Sequence, residues 1–239
     1  MAEEIGVIAQ IDDWALAEAC RQGAAWHQAH PASPVTMSAN LSARALGADG
    51  LAARVAAVLA ETGFPASALR LEVTESVAVA DPVRVRVVLD ELRALGVRVS
   101  LDDFGTGYCS LSYLQQFPVD TLKIDRSFVA RLDGPSRGQG EIIRLIVSLA
   151  VTLGLEIVAE GVETATQAEY LAELGCGYAQ GFYFARPMRA AEIEHGPQMA
   201  QMAQTAQSPQ MAQTAQMAQS PQMTQTAQMT QMAQMTQMT

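Results

Sequence analysis

Apolar and polar residues alternate in short runs that recur along the chain, separated by longer stretches of helical spacing. At 35–42, Met37, Ala39 and Leu41 stand opposite Ser38 and Asn40. At 69–76, Leu69, Leu71 and Val73 stand opposite Arg70, Glu72 and Thr74. The run 97–111 opens with Val97, Val99 and Leu101 against Arg98, Ser100 and Asp102. At 121–125, Leu122 and Ile124 face away from Thr121, Lys123 and Asp125, and two further runs follow at 156–164 and 178–187. Period two sends successive side chains to opposite faces of a strand, so each run predicts a β-strand. Helices are expected over 3–30, 51–62, 82–95, 141–153 and 167–174, with a short helix or turn at 111–116 and a loop at 133–140. In the first helix the spacing is marked by Ile8, Ile11, Trp14, Ala15, Ala19 and Gln22. Gly63, Gly96, Gly154 and Gly175 stand where four of the helices should stop.

Strand and helix alternate throughout, which is the pattern of a parallel α/β fold. A polar or charged residue falls near the end of each strand, on the face opposite the apolar one: Asn40, Glu72, Asp102, Lys123, Glu160 and Gln180. An open doubly wound sheet buries apolar residues on both faces. One apolar and one convergent polar face is instead what the mouth of a TIM-like (β/α)₈ barrel requires. Six runs are present where such a barrel has eight strands. The expectation is therefore an incomplete barrel in which the first two strands are missing.

Glu72, Glu75, Asp102, Asp103, Glu160 and Glu163 put six carboxylates at strand ends. Convergence would raise several of their pKa values unless a cation neutralised them, and Lys123 supplies a single positive charge. Oxygen ligands, carboxylates with the Asn40 amide, point to Mg²⁺ or Mn²⁺ rather than to Zn²⁺ or Cu²⁺. His27, His30 and His195 lie away from the strand ends and read as surface or packing residues. Two such ions bridged by an aspartate suit phosphodiester hydrolysis. Lys123 would then orient water or stabilise charge on a phosphoryl oxygen; the bland alternative is one ion pair with one carboxylate. Alone, LDDFGTGY reads as a solvated turn. Five other polar strand ends tip the balance towards chemistry.

Composition narrows the setting. The 239 residues carry a net charge of −10, which excludes the basic footprint of a DNA or RNA binder and disfavours anionic membranes. Cys20, Cys109 and Cys176 form no CxxC pair, and the N-terminus lacks a signal-peptide pattern, so a cytoplasmic setting is expected. No membrane segment is expected, since the apolar run 145–155 is too short to span a bilayer. From 198 to 239 the chain is an uncharged Gln-x-x triplet repeat that holds most of the 12 methionines. This divides the chain into a domain over 1–197 and a disordered low-complexity tail over 198–239. Asp103-Phe104-Gly105 spells a kinase signature but has no partner motifs, and Gly105-Thr106-Gly107 does not extend to a dinucleotide fingerprint.

The motifs taken together resemble the EAL-domain family of bacterial cyclic di-GMP phosphodiesterases. They are NLS at Asn40, LEVTES at Glu72 and Glu75, DDFGTGY at Asp102, KIDRSFV at Lys123, AEGVET at Glu160 and QGFYFARP at Gln180. The resemblance covers 2–188 and implies hydrolysis of cyclic di-GMP to linear pGpG. It implies Asn40, Glu72 and Asp102 as ligands of a first Mg²⁺ or Mn²⁺, and Asp102, Asp103 and Glu160 as ligands of a second. Lys123 matches the lysine that positions the attacking water, and Glu75 the glutamate that anchors the glycine loop. Glu163 and Gln180 match residues that line the site, and Cys109 stands where the family usually has serine. Members often dimerise, so a homodimer is among the expectations. The chain departs from the family at its front: the Glu-Ala-Leu motif, a metal ligand, and the arginine after it are absent, in agreement with the strand count. Catalysis, binding of cyclic di-GMP without turnover, docking of another protein, and a fragment without function are thus the readings to separate.

Overall fold

A computed structural model describes residues 7–107, 114–132 and 139–194. Six parallel strands form one sheet in chain order: β1 (Met37–Leu41), β2 (Leu69–Thr74), β3 (Arg98–Phe104), β4 (Thr121–Ile124), β5 (Glu156–Glu160) and β6 (Tyr178–Gln180). Every strand pairs with its predecessor, and helices cross between them. This is a half-barrel, the TIM-like arrangement that the alternating pattern predicts, with β1 and β6 as its two edges.

The outward face of the sheet and the inner sides of the helices make the core. Leu69, Leu71, Val99, Leu101, Leu122 and Ile124 are buried against Leu89 and Leu92 of α5 (Pro82–Ala94), Ile143 and Ala150 of α7 (Gln139–Leu153), and Leu171 of α8 (Ala165–Glu173). Each such side chain contributes about 1.5–3 kcal/mol relative to exposure. On the concave face Ser100 and Thr121 are also fully buried, so the polar face is a packed interior and not an open cleft along its whole depth. At its N-terminal end Glu156 accepts from Arg70 Nη2 at 2.5 Å and from Arg98 Nη1 at 3.2 Å. Arg70 lies on β2 and Glu156 on β5, so the sheet curls to bring them together.

Several boundaries differ from the sequence expectation. The first helix, α1, is Ile8–Ala29, and it buries Leu16, Cys20, Gly23, Ala24 and Trp26, while Ile11 and Trp14 are exposed. The small residues decide which side packs: a Cβ at Gly23 would fall 2.6 Å from Met37 and 2.7 Å from Phe64, an approach a larger side chain forbids. His27 packs edge-on to Phe64 and bonds the Val35 carbonyl at 2.7 Å. The expected strand 69–76 stops at Thr74, and Glu75 opens α4 (Glu75–Ala80). The run 178–187 yields only three strand residues, because Gly181 starts a turn whose carbonyl accepts from the Phe184 and Ala185 amides. Short helices α2 (Ala43–Gly47), α6 (Arg126–Val129) and α9 (Ala190–Glu194) lie outside the elements expected from the sequence, whereas α3 (Leu51–Thr62) falls where expected. Cys109, His195, the start of the 111–116 segment and the repeat tail lie outside the described residues.

Candidate metal-binding active site

Lys123 stands at the centre of the concave face. It is buried, and its Nζ lies 2.5 Å from Glu72 Oε2, 2.6 Å from Glu160 Oε1 and 3.2 Å from Asp102 Oδ1. The single ion pair of the bland reading is thus three. These partners come from β2, β3 and β5, so one ammonium gathers the ends of four strands. Burial disfavours its charge, but the hydrogen bonds it donates to Glu160 and Glu72 and the charges of Glu72 and Asp102 outweigh burial and raise its pKa above the usual lysine value. A lysine held so firmly protonated is a charge donor and not a Schiff-base nucleophile. Glu160 is pushed up by burial, against the opposing pull of Lys123 and with Asp102 and Glu72 adding to the rise.

Adjacent residues on a regular strand face opposite ways, which would send Asp103 away from Asp102. The structure removes this conflict at the end of β3. Pairing with β4 shifts register between Leu101 and Phe104, and Asp103 adopts φ 55°, the single non-glycine positive value among the described residues. A bulge of this kind re-aims side chains beside functional sites, and a left-handed non-glycine residue stores strain of about 1–3 kcal/mol. As a result one carboxylate oxygen from each of Asp102, Asp103 and Glu160 lies within 4.8 Å of the others. Burial, together with Asp102 and Asp125, raises the Asp103 pKa, with Lys123 and Arg126 opposing. Oxygen donors this close repel one another unless a cation lies between them, so the donor set fits a hard divalent ion.

The other predicted residues surround this cluster to different degrees. Asn40 is exposed at the end of β1, in register with Glu72. Glu75 is buried outside the metal cluster: its Oε2 accepts from the Gly105 amide at 2.8 Å and the Gly107 amide at 3.4 Å, which pins the glycine loop. Glu75→Ala should leave those amides unpaired and cost about 1–3 kcal/mol; faster amide exchange at Gly105 would register it, and unchanged exchange would refute the anchoring role. Glu163 is exposed in the β5–α8 loop, where its amide donates to Gln167 Oε1 in the capping box of α8. Gln180 is exposed and pairs in register with Glu160, and its carbonyl accepts from the Val162 amide. The residues that sequence reasoning missed are Thr106, whose hydroxyl donates to the Asp103 carbonyl at 2.8 Å, and Asp125 and Arg126 beside Asp103. Asp125 carries a readable signal, since Asp-x-Ser is a helix N-cap spacing and its carboxylate accepts the Ser127 amide.

With that geometry in view, comparison with known proteins is decisive. The family model described as the EAL domain matches residues 1–187. The chain belongs to the EAL domain family. A similar relative is the bifunctional diguanylate cyclase/cyclic di-GMP phosphodiesterase MucR of Pseudomonas aeruginosa, 46% identical over 193 residues, covering 81% of this chain and 28% of the relative. Another is the cyclic di-GMP phosphodiesterase NbdA of the same species, 41% identical over 194 residues, covering 81% and 24%. This EAL chain therefore spans about a quarter of the length of these relatives. Among solved structures, the MucR phosphodiesterase in complex with c-di-GMP superimposes with a TM-score of 0.77 at 45% identity, over 80% of this chain and 77% of that one. The EAL domain of Mycobacterium smegmatis DcpA gives 0.72 at 43% identity, over 76% and 81%.

Proposed function

We propose that this EAL chain is a phosphodiesterase domain that hydrolyses cyclic di-GMP to linear pGpG. The observation that carries the reading is the placement of Lys123 among Glu72, Asp102 and Glu160 beside the Asp102–Asp103–Glu160 oxygen cluster. Relatives named as cyclic di-GMP phosphodiesterases and a related structure complexed with c-di-GMP supply the substrate.

In this reading Asn40, Glu72 and Asp102 would hold one Mg²⁺ or Mn²⁺, and Asp102, Asp103 and Glu160 would hold a second. Ions held there would lower the pKa of water and neutralise charge during phosphodiester cleavage. Lys123, fixed and protonated, orients the attacking water and offsets negative charge on the phosphoryl oxygens. Glu75 holds the glycine loop so that Asp102 and Asp103 stay aimed at the same point. Glu163 and Gln180 line the mouth from the β5–α8 loop and from β6.

The cytoplasm is the compartment we assign, supported by the buried free thiols of Cys20 and Cys176, which suit a reducing environment. No helix among the described residues is long and apolar enough to cross a membrane. A homodimer is the assembly we favour, and exposed Ile142 and Leu145, three residues apart on the outer face of α7, are apolar surface available to it. The test of function is release of pGpG from cyclic di-GMP with Mg²⁺ or Mn²⁺, set against a chelator control. Metal-dependent release is expected, and no release in either condition would sink the assignment.

A further inference from the structure

A glycine follows each part of the carboxylate cluster along the chain: Gly105 lies two residues after Asp103, and Gly161 follows Glu160 directly. Both have positive φ, 94° and 70°. Both also press on the same element, α6. A Cβ at Gly105 would fall 2.9 Å from Phe128 Cε2, and one at Gly161 would fall 2.5 Å from Arg126 Cβ and 3.2 Å from its Cα. The α6 turn is itself well fixed. It follows β4, which carries Lys123; Asp125 caps it through the Ser127 amide at 3.0 Å; and Val129 is fully buried in the core.

We infer that α6 is a wedge that sets the separation between the Asp102–Asp103 pair and Glu160, with Phe128 as its positioning residue. The inference rests on the reading of those carboxylates as metal ligands. The physical reason lies in the shape of the contacts. The ends of β3 and β5 carry the donor oxygens but are not hydrogen-bonded to each other, since β4 lies between them. Lys123 reaches Asp102 and Glu160 from β4, and α6 is a second element that touches both strand ends. The α6 turn lies so close to Gly105 and Gly161, the residues that follow the ends of β3 and β5, that a Cβ at either would clash with it, and the two glycines permit that approach. Phe128 also opposes relaxation of the strained Asp103, because Gly105 is seated against its ring and the tip of Ile146. With the ring removed, the loop gains room to move. A ligand constellation that loosens by a fraction of an ångström loses affinity without the fold being lost.

Phe128→Leu and Phe128→Ala in the full chain test this, with Mn²⁺ affinity read from the electron paramagnetic resonance of free Mn²⁺ below the melting temperature. Residues acting one step behind metal ligands typically shift affinity 10–100-fold. Phe128→Ala should therefore weaken Mn²⁺ binding by about tenfold or more, and Phe128→Leu by less, because leucine refills part of the ring volume. If both variants bind Mn²⁺ as tightly as the wild type, the wedge is refuted and the metal reading stands. Where Phe128→Ala shows no cooperative melting, unchanged affinity in Phe128→Leu refutes it just as well. If the wild-type chain binds no Mn²⁺, the metal-site reading itself fails and the wedge falls with it.

Discussion

Asp102→Asn is expected to lower cyclic di-GMP turnover by more than about 100-fold, since groups one step removed from a metal already cost 10–100-fold. The side chain keeps its shape but loses its charge at the one position shared by both proposed ion sites. Asp102 also contacts Lys123 at 3.2 Å, so the substitution weakens the lysine's hold from β3 while leaving Glu72 and Glu160 in place. The loss should fall on kcat at saturating Mn²⁺, because charge neutralisation is needed most as the phosphodiester breaks. Initial rates of pGpG formation measure it. Turnover within tenfold of wild type would refute the bridging role, provided the variant melts at a similar temperature.

Lys123→Met should destabilise the metal-free protein by about 3–5 kcal/mol near neutral pH, the range for removing one partner of a buried ion pair. Glu72, Asp102 and Glu160 would then face one another without a counter-charge. The pH dependence has a definite sign. Burial already raises the Glu160 pKa, and loss of Lys123 removes the main opposing charge. A carboxylate whose folded pKa lies above its unfolded value stabilises the fold at low pH and loses that contribution as pH rises. The variant should therefore recover stability on acidification. In the wild type, the raised Lys123 pKa contributes fully below the unfolded lysine value of about 10.4 and is lost as pH climbs through the folded one. Urea titrations at about pH 5 and about pH 7.5 separate the two proteins, and a deficit independent of pH would overturn the account. Added Mn²⁺ should narrow the gap at neutral pH by supplying the missing charge.

The strands and the polar ends of the strands were legible because period two is a local property of the backbone. Leu69, Leu71 and Val73 against Arg70, Glu72 and Thr74 could be sorted by counting alone. What counting could not do was bring Asp103 back to the face of Asp102. That needed the register shift between Leu101 and Phe104 and a left-handed backbone, neither of which alternation encodes. The same limit explains Glu75. As a continuation of β2 it counted among the convergent carboxylates, but the chain turns into α4 after Thr74 and its side chain goes under the glycine loop. The Glu156–Arg70–Arg98 cluster was invisible for a different reason. Its members are 58 and 86 positions apart and meet only because the sheet curls. In α1 the pattern identified a helix but not its buried side. Spacing pointed to the side of Ile11, Trp14 and Ala19, whereas the buried side is that of Leu16, Cys20, Gly23, Ala24 and Trp26.

The strand order of the sheet is also the order of the chain, and this bears on how the protein is made. Each strand from β2 to β6 pairs with the one synthesised just before it, so these six strands can be added in turn as the polypeptide leaves the ribosome, without waiting for a distant segment. The cluster around Lys123 breaks that progression, because Glu72 emerges long before Glu160. Until β5 arrives, the nascent sheet carries an ammonium already matched by Glu72 and Asp102 and tolerable on its own. Glu160 then docks as the last of the three carboxylates on Lys123, so that cluster is complete only once β5 has joined the sheet.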